Sequence, residues 1–373
     1  MTNKIVFTKY NEKYIVAFIK NDTPIKIRCI DSLDSNVDEV YLARVTSVKN
    51  NISSSFVKYA GNIGYIGNCN RKPETVFPVM LKKETAGTKE NEVTDIISLK
   101  GLYVIVSNGI KGLKYSSKIN SSTKEKLSSL DINNALLRTN AINADLKSIQ
   151  NEFKYLSSIL DRINSIKDKR TENTILYEGL SKFLYYIFSE DLSEYDEVVT
   201  DVLEIYNLID SYFSKYKNIG VNIPIHLRLY DDSLPLKALI SLSTKMDRAT
   251  ERKVYLKSDA YIVIDYTEAL TVIDVNSGNT THKGNKADVI HSINLEACDE
   301  IALQLKLRNL SGIIIVDFIN EKNAENNEQL LSYLKKLLKT DDCHARVHSM
   351  TKLNLVEITR DRTEKTLREQ LWK

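Results

Sequence analysis

Residues 270–276 read LTVIDVN and residues 312–317 read GIIIVD. Each is a run of β-branched and aliphatic side chains, the composition of a strand inside a sheet, and each carries one carboxylate near its end, Asp274 or Asp317. Burying an unpaired carboxylate costs several kcal/mol unless a cation or hydrogen bonds hold it, so its presence in both runs needs a reason. The residues around the two runs alternate in period. YIVID (261–265) reads as a strand, and residues 287–312 place Ile290, Ile293, Ala297, Ile301 and Leu305 on one helical face before a Ser-Gly stop. AENNEQLLSYLKKLLK (324–339) reads as a second helix, and ARVHSM (345–350) and LVEITR (355–360) as strands. Strands alternating with helices make a layered α/β domain, in which ligand chemistry sits just outside strand ends. The apolar run GIIIVDFI (312–319) is expected to be buried on both faces.

Asp274 and Asn276 are two apart on one strand, so their side chains leave the same face. If the intervening helix is a crossover that sets the two strands side by side, Asp317 joins them in a hard, oxygen-rich, anionic pocket. Such a pocket suits Mg²⁺, or Mn²⁺, which keeps several waters and engages phosphate oxygens. The residues leave two other readings open. Asp274 and Asn276 are also favoured turn formers in the turn-rich string DVNSG. A carboxylate pair can also do general acid–base work on a glycosidic bond, although the adjoining basic groups suit a phosphate better.

For the chain as a whole, 373 residues are too many for one simple core and point to two to four domains, and 42% hydrophobic with 27% charged residues is the composition of a folded soluble protein. The order of strands and helices along it suggests a multidomain α+β fold. A net charge of +3 from 52 basic and 49 acidic residues neither demands nor excludes a polyanionic partner. The opening residues lack a signal-peptide arrangement and no apolar run reaches membrane-spanning length, which argues for a cytoplasmic protein with no membrane segment. Cys29, Cys69, Cys298 and Cys343 form no C-x-x-C pair, so no zinc site is evident and reduced thiols are expected.

Residues 4–30 suggest a meander of strands, and residues 37–100 five short strands with Gly and Asn turns, the size of an OB-fold barrel. On that barrel Phe56, Tyr65 and Lys89 are candidates to stack on and hold a nucleic-acid strand, with Lys83 in the same basic hairpin; Phe56 serves equally well as barrel core. The stripe Ile142, Leu146, Ile149, Phe153, Leu156, Leu160, Ile163 and Ile166 predicts one long helix, and 175–216 reads as helical again. His282 and His291 read as solvated surface residues.

Together, YIVIDYTEALTVIDVNSG (261–278), NLEACDEIALQLKLRNLSGIIIVDFI (294–319) and LNLVEITRDR (353–362) resemble the catalytic segment of the RNase E/G family of bacterial endoribonucleases. The resemblance implies an RNase H-like domain (1–36 with 179–249) carrying an inserted S-one type OB-fold RNA-binding domain (37–100) and a 5′-phosphate sensor (101–178), then a DNase I-like catalytic domain (250–373). It also implies that Asp274 and Asp317 bind Mg²⁺, that Asn276 sets a carboxylate and the scissile phosphate, and that Lys352 stands for an arginine near the catalytic site. Arg138 and Thr139 fall on the pair that reads a 5′-monophosphate. The implied activity is cleavage of single-stranded RNA to 5′-phosphate and 3′-hydroxyl ends, in messenger decay and ribosomal RNA processing. A catalytically weak or inactive RNA-binding relative is the alternative. The sequence departs from the family at Ser258-Asp259-Ala260, usually SGG, and at Asn140-Ala141, usually Ala-Gly. The family forms homodimers and homotetramers linked through zinc by paired cysteines; these 373 residues hold no C-x-x-C pair, so zinc-linked assembly is not inferred from them.

Overall fold

In the computed structural model the Asp274 and Asp317 runs are neighbouring parallel strands, Leu270–Asn276 and Gly312–Asp317, joined by the helix Lys286–Leu307. The structure describes residues 2–31, 37–49, 53–69, 71–83, 90–166, 171, 173–278, 285–321, 323–339 and 341–372. The chain divides into two compact units, one made of Met1–Cys29 with Tyr230–Lys373, the other of Ile30–Leu229.

The first unit contains a six-stranded sheet. Its strands lie in the order Lys253–Tyr255, Tyr261–Tyr266, Leu270–Asn276, Gly312–Asp317, Leu355–Arg360 and Arg346–Met350. Every pairing is antiparallel except that of the two aspartate strands. The parallel pair needs a crossover, and the 22-residue helix Lys286–Leu307 provides it. Asn285 caps this helix by accepting from Ala287 N at 3.3 Å. Ile262, Ile264, Ile273, Val275, Ile314, Val316, Val356 and Ile358 form one buried face with residues of that helix and of Ala324–Leu338. Both helices therefore cover the same side. Ile313 is 50% exposed and Ile315 half-buried, which corrects the expectation that 312–319 is buried on both faces. An unbroken apolar run fits a two-sided burial, but here helices cover only one side.

At the start of the chain, Lys4–Tyr10 and Lys13–Lys20 pair antiparallel, Lys4 opposite Ile19. Arg28 and Arg360 both donate to Asn309 Oδ1 at 3.1 Å, and Arg360 Nε reaches Asp341 at 2.9 Å, so these buried cations are paired within the unit.

The second unit holds a five-stranded barrel built from Val40–Lys49, Ser54–Tyr59, Asn62–Gly67, Asn91–Thr94 and Val76–Lys83. It closes where Val40 pairs with Met80. Beside it in sequence, Leu113–Tyr115, Ala135–Leu137, Val104–Ser107 and Ser98–Lys100 make a four-stranded sheet. The long helix runs Leu146–Ile166, with Ile149, Glu152, Leu156, Ile159 and Ile163 buried. Its buried stripe thus differs from the apolar one in the sequence, taking in Glu152 and Ile159 while Phe153 and Leu160 are half-buried. The expected helical stretch 175–216 also contains two short strands, Ile175–Tyr177 and Glu197–Thr200, on β-branched and aromatic residues. Among the described residues no helix is long and apolar enough to cross a membrane.

Candidate active site

The register of the six-stranded sheet sets Asp274 directly opposite Asp317. Residues paired in register share a face, and here it is the face away from the helices, because Ile273, Val275 and Val316 beside them are buried on the other. Asn276, next along that face, donates from Nδ2 to Asp274 Oδ2 at 2.7 Å. Burial first, and then the charge of Asp274, push the Asp317 carboxyl above its ordinary range. The string after the strand is held by backbone geometry. Gly278 has φ +60°, and a Cβ there would lie 2.6 Å from the Asp259 carbonyl oxygen. Asp259 itself has φ +64°, so an aspartate adopts the left-handed conformation where the SGG pattern has glycine, at a steric cost that short polar side chains bear best. Lys352 is exposed, in the turn between Arg346–Met350 and Leu355–Arg360, and that turn leads into Leu355, opposite Asp317. Asn354 ties the same turn to Asn320 at 2.9 Å.

In the barrel, Phe56 stands opposite Tyr65, with ring centroids 5.9 Å apart and edge-on. Neither belongs to the buried barrel core, and both are half-buried on the outer surface. Pairing continues the row from Tyr65 to Glu92 and from Glu92 to the exposed Lys83. Lys82 is ion-paired to Glu92. Lys89 lies outside the described residues, as does His282.

Arg138 follows the strand Ala135–Leu137 and is half-buried; its backbone N donates to Tyr103 O at 2.8 Å and its Nη1 to Gly101 O at 2.6 Å. Burial lowers the guanidinium pKa and the neighbouring Glu152 opposes that shift. Thr139 Oγ1 lies 3.0 Å from Ser116 Oγ. Asn140 points elsewhere: it donates to Glu190 O at 2.9 Å and accepts from Leu192 N at 2.9 Å, a buried clasp on the end of the helix Lys182–Ser189.

Residues 98–363 match the model of the ribonuclease E/G family. The chain belongs to that family. It is 30% identical over 300 residues to ribonuclease G of Escherichia coli K12, an alignment covering 79% of this chain and 61% of the relative. To ribonuclease E of Synechocystis PCC 6803 it is 27% identical over 386 residues, covering 96% and 57%. To ribonuclease E of Haemophilus influenzae it is 27% identical over 299 residues, covering 78% and 32%. This ribonuclease E/G family chain thus spans about three fifths of the length of the ribonuclease G it matches.

Among the described residues no group of three or more His, Cys, Asp or Glu is arranged to hold a metal. Two carboxylates and an amide fall below that number, yet they suit Mg²⁺, which is bound through one or two carboxylates and otherwise by waters and substrate phosphates. The donors are all oxygen, and burial, then the charge of Asp274, disfavours the Asp317 carboxylate, a destabilisation that a divalent cation would relieve.

Two parts of this family member's architecture escaped the sequence reading. Glu152 is fully buried in the long helix and accepts from the backbone N of Leu102, Tyr103 and Val104 at 2.6, 2.7 and 2.8 Å. It approaches so closely that a Cβ on Gly101 would lie 2.5 Å from its carboxyl carbon. Its sequence signal was a lone charge at helical spacing between Ile149 and Leu156. His291 is not a solvated residue after a turn but part of the crossover helix, 3.0 Å from the nearly buried Glu321. Glu321 also accepts from Asn294 and Asn326, and Asn294 bonds both N and O of Ile319. That network pins the segment following Asp317, and no local pattern announces it.

Proposed function

We propose that this chain is a metal-dependent endoribonuclease acting on single-stranded RNA in the cytoplasm, in RNA processing and decay, with Asp274 and Asp317 as the metal ligands. The single observation that carries this is their direct cross-strand pairing on the open face of the sheet. The catalytic unit in this reading is the DNase I-like segment 250–373. Residues 1–36 with 179–249 make the RNase H-like part, 37–100 the OB-fold, and 101–178 the sensor.

A bound Mg²⁺ would polarise a phosphodiester oxygen and lower the pKa of a water enough to serve as nucleophile, giving 5′-phosphate and 3′-hydroxyl ends. The chain's own residues do the rest. Asn276 fixes the rotamer of Asp274 through its Nδ2 hydrogen bond. Lys352, on the exposed turn, supplies a positive charge for the phosphate but not the fork of a guanidinium. Phe56 and Tyr65 offer ring edges and faces to bases, and Lys83 a cation to the backbone. Arg138 and Thr139 favour a 5′-monophosphate, provided that Arg138 exchanges its Gly101 carbonyl for phosphate oxygens.

The test is Asp317→Asn in a cleavage assay on a 5′-labelled A/U-rich oligoribonucleotide. Cleavage is expected to fall by ~10³-fold, several kcal/mol at about 1.4 kcal/mol per decade, while RNA binding persists. Unchanged cleavage would remove the site. In the same assay a 5′-phosphate substrate is expected to be cut faster than its 5′-hydroxyl counterpart. Equal rates would remove the sensor and leave the nuclease.

A further inference from the structure

Register pairing extends the row of Asp274 and Asp317 across the sheet to Val263 and then to Lys253 on the edge strand. The adjacent row on the same face runs from Asn276 to Tyr261 to Tyr255. Next to the candidate metal ligands there is therefore a patch of two tyrosines and a lysine. The rings of Tyr255 and Tyr261 are 6.0 Å apart and tilted by 59°. Lys253 Nζ stands 3.6 Å from the centroid of Tyr261 and 4.6 Å from that of Tyr255. Tyr255 is 66% exposed, so a large apolar face is held in water at the rim of an anionic site.

We propose that Lys253, Tyr255 and Tyr261 form a base-stacking subsite for a nucleotide of single-stranded RNA flanking the scissile phosphate. This rests on the nuclease reading of Asp274 and Asp317 and extends it to a substrate contact. An aromatic face accepts any base, and an ammonium beside it meets the phosphate between two bases, so the patch matches a flexible single strand. Lys253 is about 10 Å from Asp274, two strand spacings, and Tyr261 is only one strand from Asn276. A strand laid over these rings therefore passes directly onto the carboxylates. A lysine on an edge strand also discourages pairing with another chain. An exposed Tyr255 with the half-buried Tyr261 beside it does not serve that end, since an exposed ring makes the edge more adhesive.

The experiment uses the full chain carrying Asp317→Asn, or the unsubstituted chain in EDTA, so that RNA is bound without being cut. A short single-stranded oligoribonucleotide carrying 2-aminopurine is titrated against this protein and against Tyr255→Ala/Tyr261→Ala, Tyr255→Phe/Tyr261→Phe and Lys253→Gln versions. The alanine pair is expected to weaken binding about ten-fold and to abolish stacking-induced quenching, and the phenylalanine pair to restore both. Lys253→Gln is expected to reduce the slope of log K against log[salt] by about 0.7, the share of one phosphate on a single strand. Unmoved affinity and quenching in the alanine pair, with its unfolding temperature unchanged, would overturn the subsite. If the substitutions weaken binding but the unsubstituted chain does not cleave with Mg²⁺, the stacking contact with RNA stands, and the nuclease reading falls together with the place given to that contact beside a scissile phosphate. If cleavage is normal and binding is unmoved, the nuclease reading stands and the subsite falls.

Discussion

Asp317 and Glu152 are both carboxylates pushed toward their neutral forms. For Asp317 partial burial comes first and the Asp274 charge second. Because its folded pKa is raised, the charged form is destabilising, and stability present at low pH is lost as pH rises past the folded value. In the absence of metal, Asp317→Asn is therefore expected to raise the unfolding temperature at neutral pH, whereas with metal it lowers cleavage. A drop in that temperature in EDTA would show that the carboxylate is a structural anchor instead. Glu152 is a stronger case. Burial raises it to about 7, against three backbone N–H donors that favour the charged form. The sign is the same: its contribution is full below about 4.5 and is lost as pH climbs through about 7. A pH series of denaturant unfolding is expected to show stability falling across that window, and Glu152→Gln is expected to flatten the fall. The two residues differ in legibility. Asp317 stands out as a carboxylate closing an apolar strand, whereas Glu152 resembles any helical glutamate until the loop that it holds is brought to it.

Among the elements, the strand Leu270–Asn276 and the turn after it set the precision of the candidate site. Its alternation of buried Thr271, Ile273 and Val275 with Val272, Asp274 and Asn276 is the period of two that sends one set to the helices and the other to the open face. Gly278 then turns the chain where the Asp259 carbonyl leaves no room for a side chain. Gly278→Ala meets both the positive φ and that carbonyl, and is expected to cost about 1–2 kcal/mol of stability, read from denaturant unfolding, with a matching loss of cleavage. Its helical neighbour was readable in outline: Ile293, Ala297, Ile301 and Leu305 are buried, as their spacing implies, while Ile290, in the same expected stripe, is half-buried. The error lay in the apolar strand beside it. Composition alone does not say how many faces of GIIIVD are covered, and that depends on where both helices pack.

For the whole molecule, the candidate metal ligands and the proposed stacking patch lie in the unit made of Met1–Cys29 and Tyr230–Lys373, while the barrel and the pair Arg138 and Thr139 lie in Ile30–Leu229. A ligand stabilises only the state that binds it, by RT ln(1 + [L]/Kd). Mg²⁺ at saturating concentration is therefore expected to slow amide exchange in 270–276 and 312–317 and to leave the barrel strands unchanged. Uniform protection, or none, in a hydrogen-exchange experiment would separate the metal from these strands. The periodicities, the helix between two apolar strands, the turn residues and the carboxylates at the strand ends were all legible in the order of the amino acids, because they follow from local sterics and from the spacing of apolar side chains. Three other features came into view only with the assembled fold: Asp274 meets Asp317 in register, Glu152 is buried against a distant backbone loop, and Tyr255 and Tyr261 stand in the row of Asn276. Register and facing arise from which strands pair and which side the helices cover, and that is a property of the complete sheet that no single segment carries.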